Sequence, residues 1–500
     1  MCCFANQIFE GGEIMAAITS FKLLDLEDMN LFINGEWVKA SSNTYFNLTN
    51  PSNGEIVAKI PRGGKAEAKA AIEAAHEAFP KWAKLTAYER ADYMLKLRDL
   101  MFEYEQELAA LMSIEMGKAY AESLGEVKYA ASFLTWYAEE GRRVYGETIP
   151  ASVPNKRLFV IKQPVGVIAA ITPWNFPLAM MTRKLGPAMA AGCTGVVKPA
   201  SQSPLSALAF AKLVEMAGIP KGVVNVVAGA TGEISDEIFE NPIVKKISFT
   251  GSTEVGRTLV EKSAPQLKKL SLELGGHAPF IIFEDADLEK AAEGALASKF
   301  RNAGQTCVCA NRIYVHENIK DEFAKIFVEK VKQLKVGDSL AEGTQIGPLV
   351  NGDSLKKVAE QVQDAEEKGA VVLHGGKPLS EKGYYYEPTV LTNVTNDMLI
   401  MQEETFGPVA PLSTFTTDEE VIQAANDTIY GLAAYLYTSD ISRAVKVSEA
   451  LNFGVIGLND GIPSSAQAPF GGMNQSGYGR EGGHQGIRDY LEEKYISLGL

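Results

Sequence analysis

Between residues 165 and 274 the chain alternates short apolar runs with amphipathic stretches, and few folds accept that rhythm. The runs are 165–172 (VGVIAAIT), 195–199 (GVVKP), 223–228 (VVNVVA), 245–251 (KKISFTG) and 269–274 (KLSLEL). From Ser203 to Ala217 the residues Leu205, Leu208, Leu213 and Met216 return to one side of a helix. Strands of this kind, separated by helices, build a parallel sheet covered on both faces. Such a sheet binds ligands at the carboxyl ends of its strands. A second alternating region runs from about Gly276 to Asp460, with strand candidates at 312–316, 370–373 and 433–438. Ahead of both, a block rich in Ala, Glu, Leu and Lys from about Lys65 to Gly141 predicts helices. The expected fold class is therefore α/β, with two parallel-sheet domains.

A chain of 500 residues is too long for one hydrophobic core, which agrees with two lobes. Segments 144–163 and 487–500 are extended and partly apolar, and they suit a β arm added to the sheet edge of a partner subunit. The formal charge of -14 argues against nucleic acid, which is held by Lys and Arg. No run is long enough for a membrane helix: the most apolar one, Val165 to Met181, is broken by Pro173, Asn175 and Pro177. Five cysteines in such a chain do not make a disulfide framework, so a reducing, cytoplasmic compartment is expected. Residues 1–28 read as an extension, disordered in part, with translation expected to begin at Met15.

A GxGxxG match, Gly477 to Gly482, follows the loop-like PFGGMNQS instead of a buried strand, so it is not a dinucleotide fingerprint. Chemistry is more plausible elsewhere. Cys307 ends the turn Gly304-Gln305-Thr306-Cys307, where a thiol can be accessible. Glu273 closes a strand just before Gly275-Gly276, where a carboxylate can reach a cleft. Asn175, in Pro173-Trp174-Asn175-Phe176-Pro177, is a candidate oxyanion donor. Taken singly, a packed cysteine, a salt-bridging glutamate and a turn asparagine explain them equally well.

The motifs PWNFP, LELGG, GQTC, EETFGP and PFGG occur in that order, and from about residue 30 the chain resembles the aldehyde dehydrogenase superfamily. The resemblance implies a cofactor-binding domain (29–143 and 164–275), a catalytic domain (276–460), an oligomerisation arm (144–163 and 487–500) and an active-site and linker loop (461–486). It also implies a homo-oligomer, a tetramer or a dimer. By that likeness Cys307 is the nucleophile, Asn175 and the Cys307 N–H hold the oxyanion, and Glu273 activates the water that hydrolyses a thioester. The cofactor would lie along Trp174, Asn175, Lys198, Pro199, Ala200, Ser201, Gly251, Ser252, Leu274, Glu404 and Phe406. Many NAD-preferring members carry glutamate where Ser201 stands. Serine beside Lys198 can accept a 2′-phosphate, so NADP is expected, with NAD weaker.

Within the superfamily, the stretches MTRKLGPAMAAGC, ALASKFRNAGQTCVCANR and DYLEEKYISLGL resemble the branch that oxidises succinic semialdehyde. A carboxylated aldehyde needs a cation at the far end of its pocket, and Arg183 and Arg301 match that branch's carboxylate-binding arginines. Ser464 is expected to add a hydroxyl, although GIPSSAQAPFGG departs from the commoner GIISNEVAPFGG pattern. Cys309, two residues after Cys307, suggests an oxidative switch through a strained disulfide, or simply a small packed residue. Glutarate semialdehyde is the main rival substrate. A cysteine hydrolase would need a histidine base, and none of His76, His277, His316, His374 or His484 neighbours Cys307 in sequence. No HExxH or CxxC cluster suggests a metal. A non-catalytic scaffold is disfavoured because nucleophile, base and amide are all present.

Overall fold

The computed structural model describes residues 21–379 and 382–500. The expectation of a start at Met15 falls outside the described residues. Within the expected extension, residues 21–28 are docked: Leu23 and Leu24 are buried, and the Leu23 N–H donates to the Glu107 carboxylate at 2.6 Å.

An eight-stranded sheet forms the centre of the first lobe. Its parallel part runs Lys269–Glu273, Val244–Thr250, Val167–Ile171, Thr194–Lys198 and Val224–Val226 in spatial order. Val167–Ile171 and Thr194–Lys198 are buried at every residue, because helices cover both faces. Three strands that the apolar rhythm did not reveal complete the edges. Leu31–Ile33 and Glu36–Val38 are antiparallel additions on one side. Gly477–Tyr478 adds antiparallel to Lys269–Glu273 on the other. The stretch 461–486, expected as a loop, therefore contributes a strand to the first sheet.

Register sets the rim where ligands bind. Ile171 lies opposite Lys198, and Thr250 opposite Glu273. The strands thus end together, and the residues after them (Thr172 to Asn175, Pro199 to Ser201, Gly251-Ser252, Leu274) emerge along one edge.

The second lobe holds a seven-stranded sheet with Ala278–Ile282 and Ala310–His316 at its middle, parallel to each other. Val371–His374 is its one antiparallel strand among the described residues. The two lobes have separate apolar cores that divide between Leu274 and Ala278. The helical block is present as four helices between Lys65 and Glu140. Glu147–Ile149, Lys156–Pro164 and Leu491–Gly499 form a third, three-stranded sheet. Ile149, Ile161, Tyr495 and Leu498 are exposed on it. No described helix is long and apolar enough to cross a membrane.

Candidate active site

Cys307 hangs from a turn the chain adopts only under constraint. After the helix Leu288–Phe300, Asn302, Ala303 and Gly304 take three consecutive left-handed conformations (φ 52°, 55° and 75°). Such conformations cost roughly 1–2 kcal/mol at a residue with a Cβ, so the surroundings must hold Ala303 there. A Cβ on Gly304 would collide with the Gly407 carbonyl, which explains the glycine. Gly276 packs against the Cys307 carbonyl in the same way, and this ties LELGG to GQTC.

Cys307 and Asn175 line one cavity of about 270 Å³, together with Trp174, Gly251, Ser252, Leu274, Glu404 and Phe406. The Asn175 amide donates one hydrogen to the Gln305 carbonyl at 3.0 Å. Trp174 meets Phe406 edge to face at 5.5 Å. At one end, Ser252 caps the helix Thr253–Ser263 by accepting from the Val255 N–H, so the positive helix end faces the cavity. Glu404 accepts from the Gly276 N–H at 3.0 Å, and burial raises its carboxyl to about 7.

Glu273 is buried just behind this wall, and its Oε2 has no partner among the described residues. Burial, then the negative charge of Glu481, hold its carboxyl well above the usual range, against the pull of Arg183 and Lys184. Burial likewise pushes the Cys307 thiol up to about 12; Arg183 pulls it down, while Glu404 and Glu273 push it further up. Cys307 and Asn175 thus share one cavity, with a protonated thiol at rest, while Glu273, whose charge acts on that thiol, stands next to the lining residue Leu274 without lining the cavity itself. Among the described residues no histidine lines the cavity, and His277 is bonded to the Met401 carbonyl at 2.9 Å.

The other expected residues divide. Lys198 closes its strand and donates to Thr231 Oγ1 at 2.8 Å; burial pushes its ammonium down to about 8. Pro199, Ala200 and Ser201 form the turn after it, with Ser201 half-buried. None of these four lines the cavity of Cys307. Arg183 is not a surface group: it is 2% exposed, lies 2.8 Å from Glu481 and stacks over Phe470 at 4.0 Å, yet its Nη2 has no partner among the described residues. Arg301 is half-buried over Phe176 at 5.3 Å, with no carboxylate in ion-pair distance among the described residues. Ser464 is half-buried in the loop after the last strand of the second sheet and does not line the cavity. Cys307 and Cys309 are free thiols, and the buried Cys309 donates to the Lys299 carbonyl at 3.5 Å.

Sequence reasoning missed several buried charges. Glu481, inside the rejected GxGxxG stretch, binds Lys184 Nζ at 2.6 Å, and Lys184 also donates to Thr250 at 2.6 Å. Burial opposes ionisation of Glu481, but Lys184 and Arg183 prevail and keep its carboxyl below the usual range. Lys357 Nζ donates to the Glu404 carbonyl oxygen at 2.6 Å. Lys118 and Glu126 form a buried ion pair beneath the PWNFP turn. Only Lys118, Glu122 and Glu126 left a trace in sequence, as charges four residues apart at the start of a helix.

Comparison with known proteins agrees with this geometry. The model of the "Aldehyde dehydrogenase family" matches residues 37–496. The NADP(+)-dependent succinate-semialdehyde dehydrogenase of Escherichia coli is 55% identical, over 95% of this chain and 100% of that protein. A glutarate-semialdehyde dehydrogenase of Pseudomonas putida is 53% identical, over 95% of this chain and 100% of that one. The crystal structure of an E. coli NADP-dependent enzyme superposes with a TM-score of 0.94 at 54% identity, covering 95% of this chain and 99% of the other. A thiol and a carboxamide on one cavity, with a buried carboxylate next to its wall, on a chain matched from end to end of its relatives, lead to one assignment: this chain belongs to the aldehyde dehydrogenase family.

Proposed function

We propose that the enzyme oxidises succinic semialdehyde to succinate with NADP, in the cytoplasm, through a thioester on Cys307. The observation that carries this reading is the convergence of the Cys307 thiol and the Asn175 amide on one cavity that opens toward a helix N-terminus. The cofactor fits that cavity chemically. A helix end with Gly251 and Ser252 suits a pyrophosphate, and the Glu404 carboxylate suits ribose hydroxyls. The buried Lys198 ammonium, beside Ser201, suits a 2′-phosphate. When bound there, the nicotinamide supplies the hydride acceptor.

The chain's own residues do the rest. The Cys307 thiol gives its proton up to solvent, the thiolate attacks the aldehyde carbon, and the resulting oxyanion of the thiohemiacetal is met by the Asn175 amide and the Cys307 N–H. That alkoxide is a far better hydride donor than the neutral aldehyde, and oxidation leaves a thioester on sulfur. Glu273 in its ionised form takes a proton from water, which attacks the thioester and releases the acid and the thiol. The presence of Glu273 argues against transfer to coenzyme A instead.

The unpaired Arg301 and the free Nη2 of Arg183 support an aldehyde with a distal carboxylate. A charged hydrogen bond of this kind is worth about 1.5–3 kcal/mol. Arg301→Ala should thus raise KM for succinic semialdehyde roughly 10- to 100-fold, by the same energy range, while butanal kinetics stay as they were. Equal changes for both aldehydes would refute carboxylate recognition. Glutaric semialdehyde is the second reading, favoured by the P. putida relative at 53% identity. One methylene changes binding by only about 1–3 kcal/mol, so both are expected to turn over. Initial rates on the three aldehydes with NADP and with NAD decide substrate and cofactor together. The exposed three-stranded sheet supports a homo-oligomer, a dimer or a tetramer, joined through the arm. The free thiols of Cys307 and Cys309 leave an oxidative switch open to peroxide inactivation and dithiothreitol rescue.

A further inference from the structure

The two groups expected to hold the oxyanion come from different lobes. The Asn175 amide rides on the PWNFP turn after a strand of the first sheet, and the Cys307 N–H on the turn that leads into the second. Their spacing is not set by any strand or helix they share. Beneath both turns runs the helix Tyr120–Glu140. Lys118, just ahead of it, is 2% exposed and donates from Nζ to the Asn175 backbone carbonyl at 2.7 Å, with Glu126 as its other partner. The same ammonium sits over the Phe176 ring at 3.9 Å. Glu126, 3% exposed, also accepts from the N–H groups of Leu178 and Ala179 at 3.0 and 3.1 Å, where the next helix begins. Glu122, one turn earlier, accepts the Asn302 N–H at 3.0 Å, and Asn302 returns its side-chain amide to the Asn175 carbonyl at 3.1 Å.

From this network we infer that Lys118, Glu122 and Glu126 are positioning residues of the oxyanion hole, one helix fastening the Asn175 turn and the Cys307 turn at a fixed spacing. The inference rests on the reading of Asn175 as an oxyanion donor. The physical argument is the charge placement. A buried ion pair is a poor source of stability, because both ions lose their water. Here the pair directs its remaining hydrogen bonds to backbone groups of the site: one carbonyl and two N–H groups of a segment only five residues long, Asn175 to Ala179. Glu122 does the same for the left-handed turn that would otherwise be free to relax. Glu122 and Glu126, four residues apart, share one face of the helix, and Lys118 stands just ahead of its first turn.

A double-mutant cycle in the full-length enzyme tests this. Lys118→Met with Glu126→Gln removes the charge pair as a unit, and the new side-chain amide still offers a carbonyl oxygen to the N–H groups of Leu178 and Ala179. Asn175→Ala removes the oxyanion donor, which should lower kcat about 10²- to 10³-fold. The paired substitution should lower kcat by roughly 10- to 100-fold, as small misplacements do, with the NADPH dissociation constant unchanged. Combined with Asn175→Ala it should cost no more than Asn175→Ala alone, because both act through one group. Multiplying losses, or a weakened grip on NADPH, would mean a merely structural role and overturn the inference. Should the paired variant not fold, Glu122→Ala enters the same cycle with the same expectations. If Asn175→Ala itself leaves kcat unchanged, the oxyanion reading fails, which is a separate result from additivity.

Discussion

A thiol raised to about 12 by burial cannot attack until its proton leaves, and a carboxyl raised by burial cannot act as a base until it ionises. The two shifts have one sign and one consequence. The reactive forms of both groups are populated as pH rises. For Glu273 the base form is populated above its raised value, so thioester hydrolysis should accelerate at pH above the ordinary carboxylate range. Glu273→Gln should lower kcat by about 10²- to 10⁴-fold and flatten that rise. A parent-like pH profile in the Glu273→Gln variant would remove Glu273 from the role. Cys307, Glu273 and Asn175 were legible as candidates in the sequence because each lies in a motif of the family (GQTC, LELGG and PWNFP), although taken singly each has an ordinary structural reading. Glu481 was not. Its meaning lies in a contact with Lys184, 297 positions away, and its glycine-rich surroundings read as a loop.

The turn Asn302-Ala303-Gly304 connects local backbone to catalysis. Three left-handed residues in a row persist because Glu122 holds the Asn302 N–H and because Gly304 clears the Gly407 carbonyl. Gly304→Ala adds a Cβ both to a positive φ and to that collision. It should destabilise the fold by more than about 1 kcal/mol and lower kcat, read as the urea midpoint and the steady-state rate of the folded enzyme. A parent-like midpoint would mean that the turn is not constrained as described. At this scale the apolar runs located the parallel strands of the first sheet to within one or two residues, since a strand buried on both faces has an unbroken apolar signature, but Ala278–Ile282, Thr389–Thr392, Val409–Phe415 and Val455–Leu458 of the second sheet were not among the runs. Glu36–Val38 and Gly477–Tyr478 are edge strands and Leu31–Ile33 lies next to one, each of two or three residues, too short for a period to register.

Across the whole molecule, the two sheets were foreseeable from rhythm and length, and the strands of the third sheet from their extended composition. The arm's three strands pair within one chain, so the proposed contact with a partner rests on its exposed apolar face. Deleting 491–500 removes the strand along Lys156–Pro164 and should reduce the mass in light scattering to that of a smaller assembly. Unchanged mass would place the contact elsewhere. The fastenings Lys118, Glu122 and Glu126 left only a four-residue spacing in the sequence: such charges are ordinarily solvated, and only tertiary packing shows these three beneath the site. The account as a whole asks two lobes to bring sulfur and carboxylate to one carbon. Its most direct test is intact-mass and peptide analysis of the Glu273→Gln enzyme quenched after mixing with succinic semialdehyde and NADP. The account predicts a single burst of NADPH and a succinyl group trapped on the peptide bearing Cys307. Undiminished turnover, or an adduct on any other residue, would contradict it.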